Sequence, residues 1–209
     1  MKLATIIALF PVLYPLVYGA AISPRSPIEG YTIWQPEWEI EASPGKTIKA
    51  RGTIEQARDE LLKVNPNWDE DYVEPAKAKR ALEARSELAK RTDFYTDGRV
   101  ECRGRWEETN ADEIQRGILY LQALGGQPTN GPGPGACGRV SCSFGAAIYW
   151  CNDETTPKTL ESYSSIADGA QAIINDCKFY KPGSYNKASG QAFHKTNWNV
   201  IVRKDLENC

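Results

Sequence analysis

Hydrophobic positions change character several times along the chain. From Leu3 to Val17 they form one apolar run behind Lys2, broken only by Pro11 and Pro15 and followed by the small residues Gly19, Ala20 and Ala21. No sustained period follows, and Pro24, Pro27, Trp34, Pro36, Trp38 and Pro44 crowd together, which predicts irregular chain with aromatic anchors. Helical spacing begins at Thr53. The segment Thr53–Val64 reads as a helix with a Thr53/Gln56 capping box. A second helix starts at Pro75 and runs toward Lys90 on strong helix formers. Its apolar stripe of Ala81, Leu82, Ala84 and Leu88 is too thin to hold a helix by itself.

Beyond Arg91 the pattern is denser. Arg99–Cys102 predicts a short strand. Asn110 N-caps a helix with Glu113 in the capping-box position, and Ile114, Ile118, Leu121 and Leu124 line one face until Gly125-Gly126 ends it. The glycine- and proline-rich stretch Gln127–Gly135 holds no regular element and is expected to be the most exposed loop. Val140 and Cys142 alternate with Arg139 and Ser141, and Ile148 and Trp150 with Tyr149 and Cys151, so two strands should turn near Phe144-Gly145. Ser164 or Ser165 caps a helix that carries Ile166, Ala170, Ile173, Ile174 and Cys177 on one face. Over Asn197–Arg203, Trp198, Val200 and Val202 share one side of a strand. The order strand, helix, strand pair, helix, strand fits an α+β fold, a disulfide-stabilised antiparallel sheet with two helices packed on one face.

Composition divides the chain. The leading run is shorter than the roughly 20 residues a bilayer span needs, so residues 1–20 read as a secretory signal peptide. No later stretch is apolar enough to be a transmembrane segment. All six cysteines, Cys102, Cys137, Cys142, Cys151, Cys177 and Cys209, follow Arg91. In a secreted, extracellular chain they imply three disulfides, with fifteen pairings open. Residues 21–91 then form a cysteine-free pro-segment and residues 92–209 the mature domain. The boundary is Leu88-Ala89-Lys90-Arg91, where Lys90 and Arg91 offer the adjacent cations that a processing protease reads through acidic subsites. Lys79-Arg80 is a second dibasic pair, and such pairs also occur on solvated helix faces. The pro-segment is expected to be a passive spacer, with folding aid and surface mask as the other roles. From Thr92 onward 12 Lys and Arg face 14 Asp and Glu, which argues against broad nucleic-acid binding.

No candidate chemistry stands out from spacing alone. The cysteine intervals lack the paired short spacings of a zinc site, and no metal or cofactor is expected. The glycine-rich loop is followed by no Gly-Lys-Ser/Thr. The acid pairs Glu107-Glu108, Asp112-Glu113 and Asp153-Glu154 suit helix starts and turns better than glycoside hydrolysis. Tyr149, Trp150 and Trp198 sit at alternating strand positions and are expected in the core. His194 is the only histidine. A small secreted ribonuclease would use a glutamate base, His194 as acid and Arg103, Arg105 or Arg203 on phosphate. A non-catalytic chain is the expectation, with Arg103 and Arg105 as candidate binding residues.

Cys142-Ser-Phe-Gly145, Ile173-Ile-Asn-Asp-Cys177 and Gly190-Gln191 resemble the necrosis-inducing-factor effectors of fungi. Val100-Glu-Cys-Arg-Gly104, with the later cysteine helix and last strand, resembles the smut killer toxins. The likeness runs from Cys102 to Cys209. It departs at Asp112-Glu113, where the first group carries a cysteine, and the second group has more cysteines. Leu88-Ala-Lys-Arg91 resembles a kexin-type site, and a removable pro-segment is similar to that of several necrotrophic toxins. The resemblance implies a secreted effector or toxin that binds a host or competitor protein or surface molecule. It implies no catalytic residues.

Overall fold

The structure, a computed structural model, describes residues 28–86, 92–205 and 209. The proposed signal peptide and the Lys90-Arg91 pair lie outside the described residues. Ahead of that pair come β1 (Thr32–Trp34), β2 (Glu37–Ser43), β3 (Lys46–Arg51), α1 (Ile54–Val64) and α2 (Glu74–Ser86). After it come β4 (Arg99–Cys102), β5 (Thr109–Asn110), α3 (Ala111–Ala123), β6 (Thr129–Asn130), β7 (Ala136–Ser143) and β8 (Ala146–Asn152). The chain ends with β9 (Lys158–Thr159), α4 (Tyr163–Cys177), β10 (Lys187–Ala188), β11 (Gly190–His194) and β12 (Trp198–Lys204).

Six strands form one sheet in the order β1, β7, β8, β12, β11, β4. Every pairing in it is antiparallel except that of β1 with β7. The fold is therefore α+β, with a mostly antiparallel sheet and three disulfides, as its pattern predicts. The β7–β8 hairpin turns at Phe144 and Gly145, with φ of 46° and 76°. Positive φ at both turn residues matches the right-handed twist of the flanking strands. It leaves the Phe144 ring 82% exposed.

Strict alternation along β8 divides the core in two. Ala146, Ile148 and Trp150 join a large cluster with Ile114, Ile118 and Leu121 of α3 and Ile166, Ala170 and Ile173 of α4. Ala147, Tyr149 and Cys151 belong to a smaller cluster with Ile28, Trp106 and Ile201. In that second cluster the Tyr149 hydroxyl donates to Asp205, and Arg139 Nη1 pairs with the same carboxylate at 3.0 Å. Burial, followed by the Asp205 hydrogen bond, raises the Tyr149 pKa, so the phenol stays protonated as a donor. The disulfides join Cys102 to Cys177, Cys137 to Cys151 and Cys142 to Cys209. They tie β4 to α4, β7 to β8, and β7 to the C-terminus.

Local signals are mostly kept. Gln56 Oε1 accepts from the Thr53 amide at 2.9 Å, and Asn110 caps α3 by accepting from the Asp112 amide at 2.9 Å. Glu113 makes no return to that cap. Its carboxylate takes hydrogen bonds from Arg116 and Ser143, each at 3.0 Å. The N-cap of α4 is Ser162, ahead of the expected Ser164 or Ser165 by two or three residues. The glycine-proline loop is less open than expected, because Asn130 is fully buried and donates to the Ala136 and Trp150 carbonyls at 2.9 and 3.3 Å.

The largest correction concerns the cysteine-free segment. Residues expected to be irregular form β1 and the β2–β3 hairpin, where Trp38, Ile40 and Ala42 are buried and alternate with exposed glutamates. Nor is the segment a passive spacer over residues 28–86. Trp38, Ile54, Ala57, Leu61 and Trp68 are buried in the same cluster as α3, α4 and β8. Only its end matches the thin stripe read from sequence, with Leu82 of α2 66% exposed.

Candidate functional site

Beyond the shared apolar cluster, three contacts define the surface where residues 28–86 meet the disulfide-bonded body. The first is a sheet edge. β1 pairs in register with β7, Thr32 against Ala136, Ile33 against Cys137 and Trp34 against Gly138. Without β1, that part of β7 would present unpaired N–H and C=O groups, a template for another strand. The Trp34 ring lies over Gly138 so closely that a Cβ there would fall 2.6 Å from the indole. It also meets Trp150 edge-on at 6.4 Å between centroids. Glycine at 138 is thus a slot for an aromatic ring.

The second contact is polar. Glu55, in the first turn of α1, places its carboxylate on Ser141 Oγ at 2.5 Å and on the Cys142 amide at 2.8 Å. The β7–β8 register shifts between Arg139 and Ser141. Such an irregularity turns backbone donors away from the ladder, and the Cys142 amide finds its acceptor in Glu55. A hydroxyl and an amide together hold one carboxylate, a charge-assisted arrangement stronger than a neutral pair.

The third contact involves Thr92, the residue that follows the dibasic pair in sequence. Asp168 of α4, its side chain 9% exposed, accepts Arg80 Nη2 on Oδ1 at 2.7 Å and the Thr92 amide on Oδ2 at 2.9 Å. A cleft of about 470 Å³ opens there, with Phe94, Tyr95, Gln115, Gln171 and Asn175 in its walls. Arg80 belongs to the second dibasic pair, Lys79-Arg80. That pair sits inside α2 with the Arg80 side chain only 17% exposed and engaged, unlike an extended protease substrate.

Other residues singled out by sequence fall elsewhere. Arg103 and Arg105 are exposed. Arg103 packs over Phe179 at 4.1 Å. Arg105 donates to the Glu29 carbonyl and lies over Tyr31 at 5.0 Å, so it grips the segment ahead of β1. His194 ends β11, its ring tilted 31° against Trp198 at 4.9 Å between centroids, with Nδ1 accepting from the Thr196 amide at 3.2 Å. Burial first, then Lys195 and Lys158, lower its pKa. Its cleft of about 270 Å³ is lined by Asp97, Arg99, Asp153 and Lys195, and by none of Arg103, Arg105 or Arg203. Within it Asp153 is engaged by Asn199 at 2.6 Å and Arg99 by Glu101 at 2.7 Å.

The acid pairs are likewise occupied. Glu107 binds Lys204 at 2.7 Å and Glu154 binds Lys158 at 3.1 Å. Tyr149, Trp150 and Trp198 are core residues. All six cysteines are bonded, so none is a thiolate ligand. Among the described residues no helix is long and apolar enough to cross a membrane. Comparison with protein-family models, with curated proteins and with solved structures finds no match to this chain.

Proposed function

We propose that this chain is an exported effector or toxin, matured by cleavage after Arg91. In this reading its disulfide-bonded body binds a host or competitor molecule through the face that residues 28–86 cover. The single observation carrying it is the way that cover is seated. A cysteine-free segment, joined to the body through a dibasic link, fills a sheet edge, an aromatic slot at Gly138 and a carboxylate site at Ser141 and Cys142. A cover of that kind behaves as an internal ligand, and the molecule that replaces it should offer the same chemistry, an extended strand with an aromatic ring and an acid. The three disulfides keep the body cross-linked when the cover leaves, and they suit an oxidising, extracellular setting.

The test compares wild-type protein with a Lys90→Ala/Arg91→Ala variant, infiltrated into leaf tissue over a concentration series. The variant should need at least about tenfold more protein for the same necrosis, because its cover stays covalently attached. Equal potency of an intact, uncut variant would refute the reading. A second reading, a small hydrolase such as a ribonuclease, draws on the cleft that sets His194 among Asp97, Asp153 and Lys195. Turnover of RNA by wild type that His194→Ala abolishes would replace the binding reading.

A further inference from the structure

The residue after the dibasic pair is already placed for a change of charge. Thr92 is the first residue of a product cut after Arg91, and its backbone nitrogen lies 2.9 Å from Asp168 Oδ2. Its position is set by the body. Asp93 Oδ1 accepts the Tyr95 and Thr96 amides at 2.8 and 3.0 Å. Phe94 is 1% exposed, edge-on to Trp198 at 5.2 Å. Gly169, next to Asp168, lets that ring approach α4, since a Cβ there would fall 2.8 Å from Phe94 Cζ. None of these contacts involves residues 28–86.

We infer that Asp168 is the docking site for the α-ammonium that cleavage creates at Thr92, and that this new cation loosens the hold of Arg80. The inference rests on the processing reading above. Hydrolysis of the Arg91–Thr92 peptide bond consumes one water and leaves a carboxylate on Arg91 and an amine on Thr92, which takes up a proton at neutral pH. A neutral N–H donor at Asp168 thereby becomes a full positive charge in the same place. In the uncut chain Arg80 Nη2 is held on Asp168 Oδ1 at 2.7 Å. After the cut that carboxylate serves two cations that repel each other, one anchored to the body and one on the cover. Among the described residues, the other charged groups bordering the site include Lys79 on α2, Glu161 ahead of α4 and Asp93 beside Thr92. The cut therefore fixes the new N-terminus and weakens an ion pair that seats residues 28–86.

The experiment uses the full chain, cut by a kexin-type protease. In parallel, the Leu88→Ile/Ala89→Glu/Lys90→Gly variant is cut after Arg91 by factor Xa. Labelling of the Thr92 α-amine with acetic anhydride across pH 6 to 10, read by peptide mass spectrometry, gives its titration. In the cut chain it should titrate at least about one pH unit above the ordinary α-amine value near 8, with labelling at pH 8 reduced at least about fivefold. Asp168→Asn should restore the ordinary value. One glycine inserted between Arg91 and Thr92 should do the same, since it moves the amine away while leaving Asp168 in place. An ordinary titration in the cut wild-type chain, or an elevated one that survives both changes, would overturn the inference. Recovery from the secreting host of a product beginning elsewhere than Thr92 would sink the processing reading alone, because the factor Xa product still reports on the pairing.

Discussion

Gly138→Ala separates a seated cover from a loosely apposed one. An ideal Cβ at residue 138 falls 2.6 Å from Cζ2 and 2.7 Å from Cε2 of Trp34. Carbon atoms rest about 3.5 to 4.0 Å apart, so the indole must retreat by about 1 Å or β1 must shift on β7. Overpacking of this kind costs about 1 to 3 kcal/mol. Replacing glycine in a strand returns about 0.5 to 1 kcal/mol of backbone entropy. The net loss in the uncut chain is then about 0 to 2.5 kcal/mol, centred near 1 kcal/mol. In urea, with slopes of about 1 to 3 kcal/mol per molar, the unfolding midpoint should fall by roughly 0.5 M. In a Trp34→Ala background the collision disappears, and the same methyl should be neutral or slightly stabilising. The double-mutant cycle should therefore give a coupling of about 1 to 3 kcal/mol. An equal effect of Gly138→Ala in both backgrounds would refute the seating of Trp34 on β7.

Three further outcomes follow from named contacts. Glu55→Ala strands the Cys142 amide and the Ser141 hydroxyl and should cost about 1.5 to 3 kcal/mol in chemical denaturation; a loss below 0.5 kcal/mol would mean that site is not closed by Glu55. His194 has its pKa lowered, chiefly by burial, so the unfolded chain takes up that proton first as pH falls. Its contribution makes stability decline from about pH 6.5 down through the folded pKa and has no effect above. A His194→Gln variant should show a flatter melting temperature between pH 7.5 and 5, and an unchanged slope would count against that burial. Loops of 75 and 14 residues are closed by Cys102–Cys177 and Cys137–Cys151. Replacing each pair by serines should cost about 4.5 and about 3 kcal/mol in the chain-entropy model, and a reversed order would show that strain or denatured-state structure dominates.

What could be read from the residues was local. Asn110 as a cap, the turn at Phe144-Gly145 and the alternation on β8 and β12 each depend on neighbours within a few positions, and each is found. The class of fold follows from their order. The disulfide pairing was not legible, because six similar side chains carry no mark of which backbone segments approach. Nor was β1, only three residues long, whose pairing with β7 spans about a hundred positions of sequence. The alternation Trp38, Ile40, Ala42 is in plain view but lies between Pro36 and Pro44, and proline ordinarily marks irregular chain. The candidate site was the least legible part. Glu55 looks like an ordinary helix-start acid, and Gly138 becomes a slot only when Trp34 lies over it. Asp168 becomes a receptor only when Thr92 and Arg80 converge on it.

Cutting after Arg91 leaves the cover attached to the body only by non-covalent contacts, and native mass spectrometry of the cut product at micromolar concentration reads that directly. The result expected is one species containing both fragments and three disulfides, from which the cover departs only when a competing ligand or denaturant is added. Fragments that separate at once at neutral pH, with the body carrying free thiols, would contradict the claim that residues 28–86 form a seated, displaceable cover on a cross-linked body.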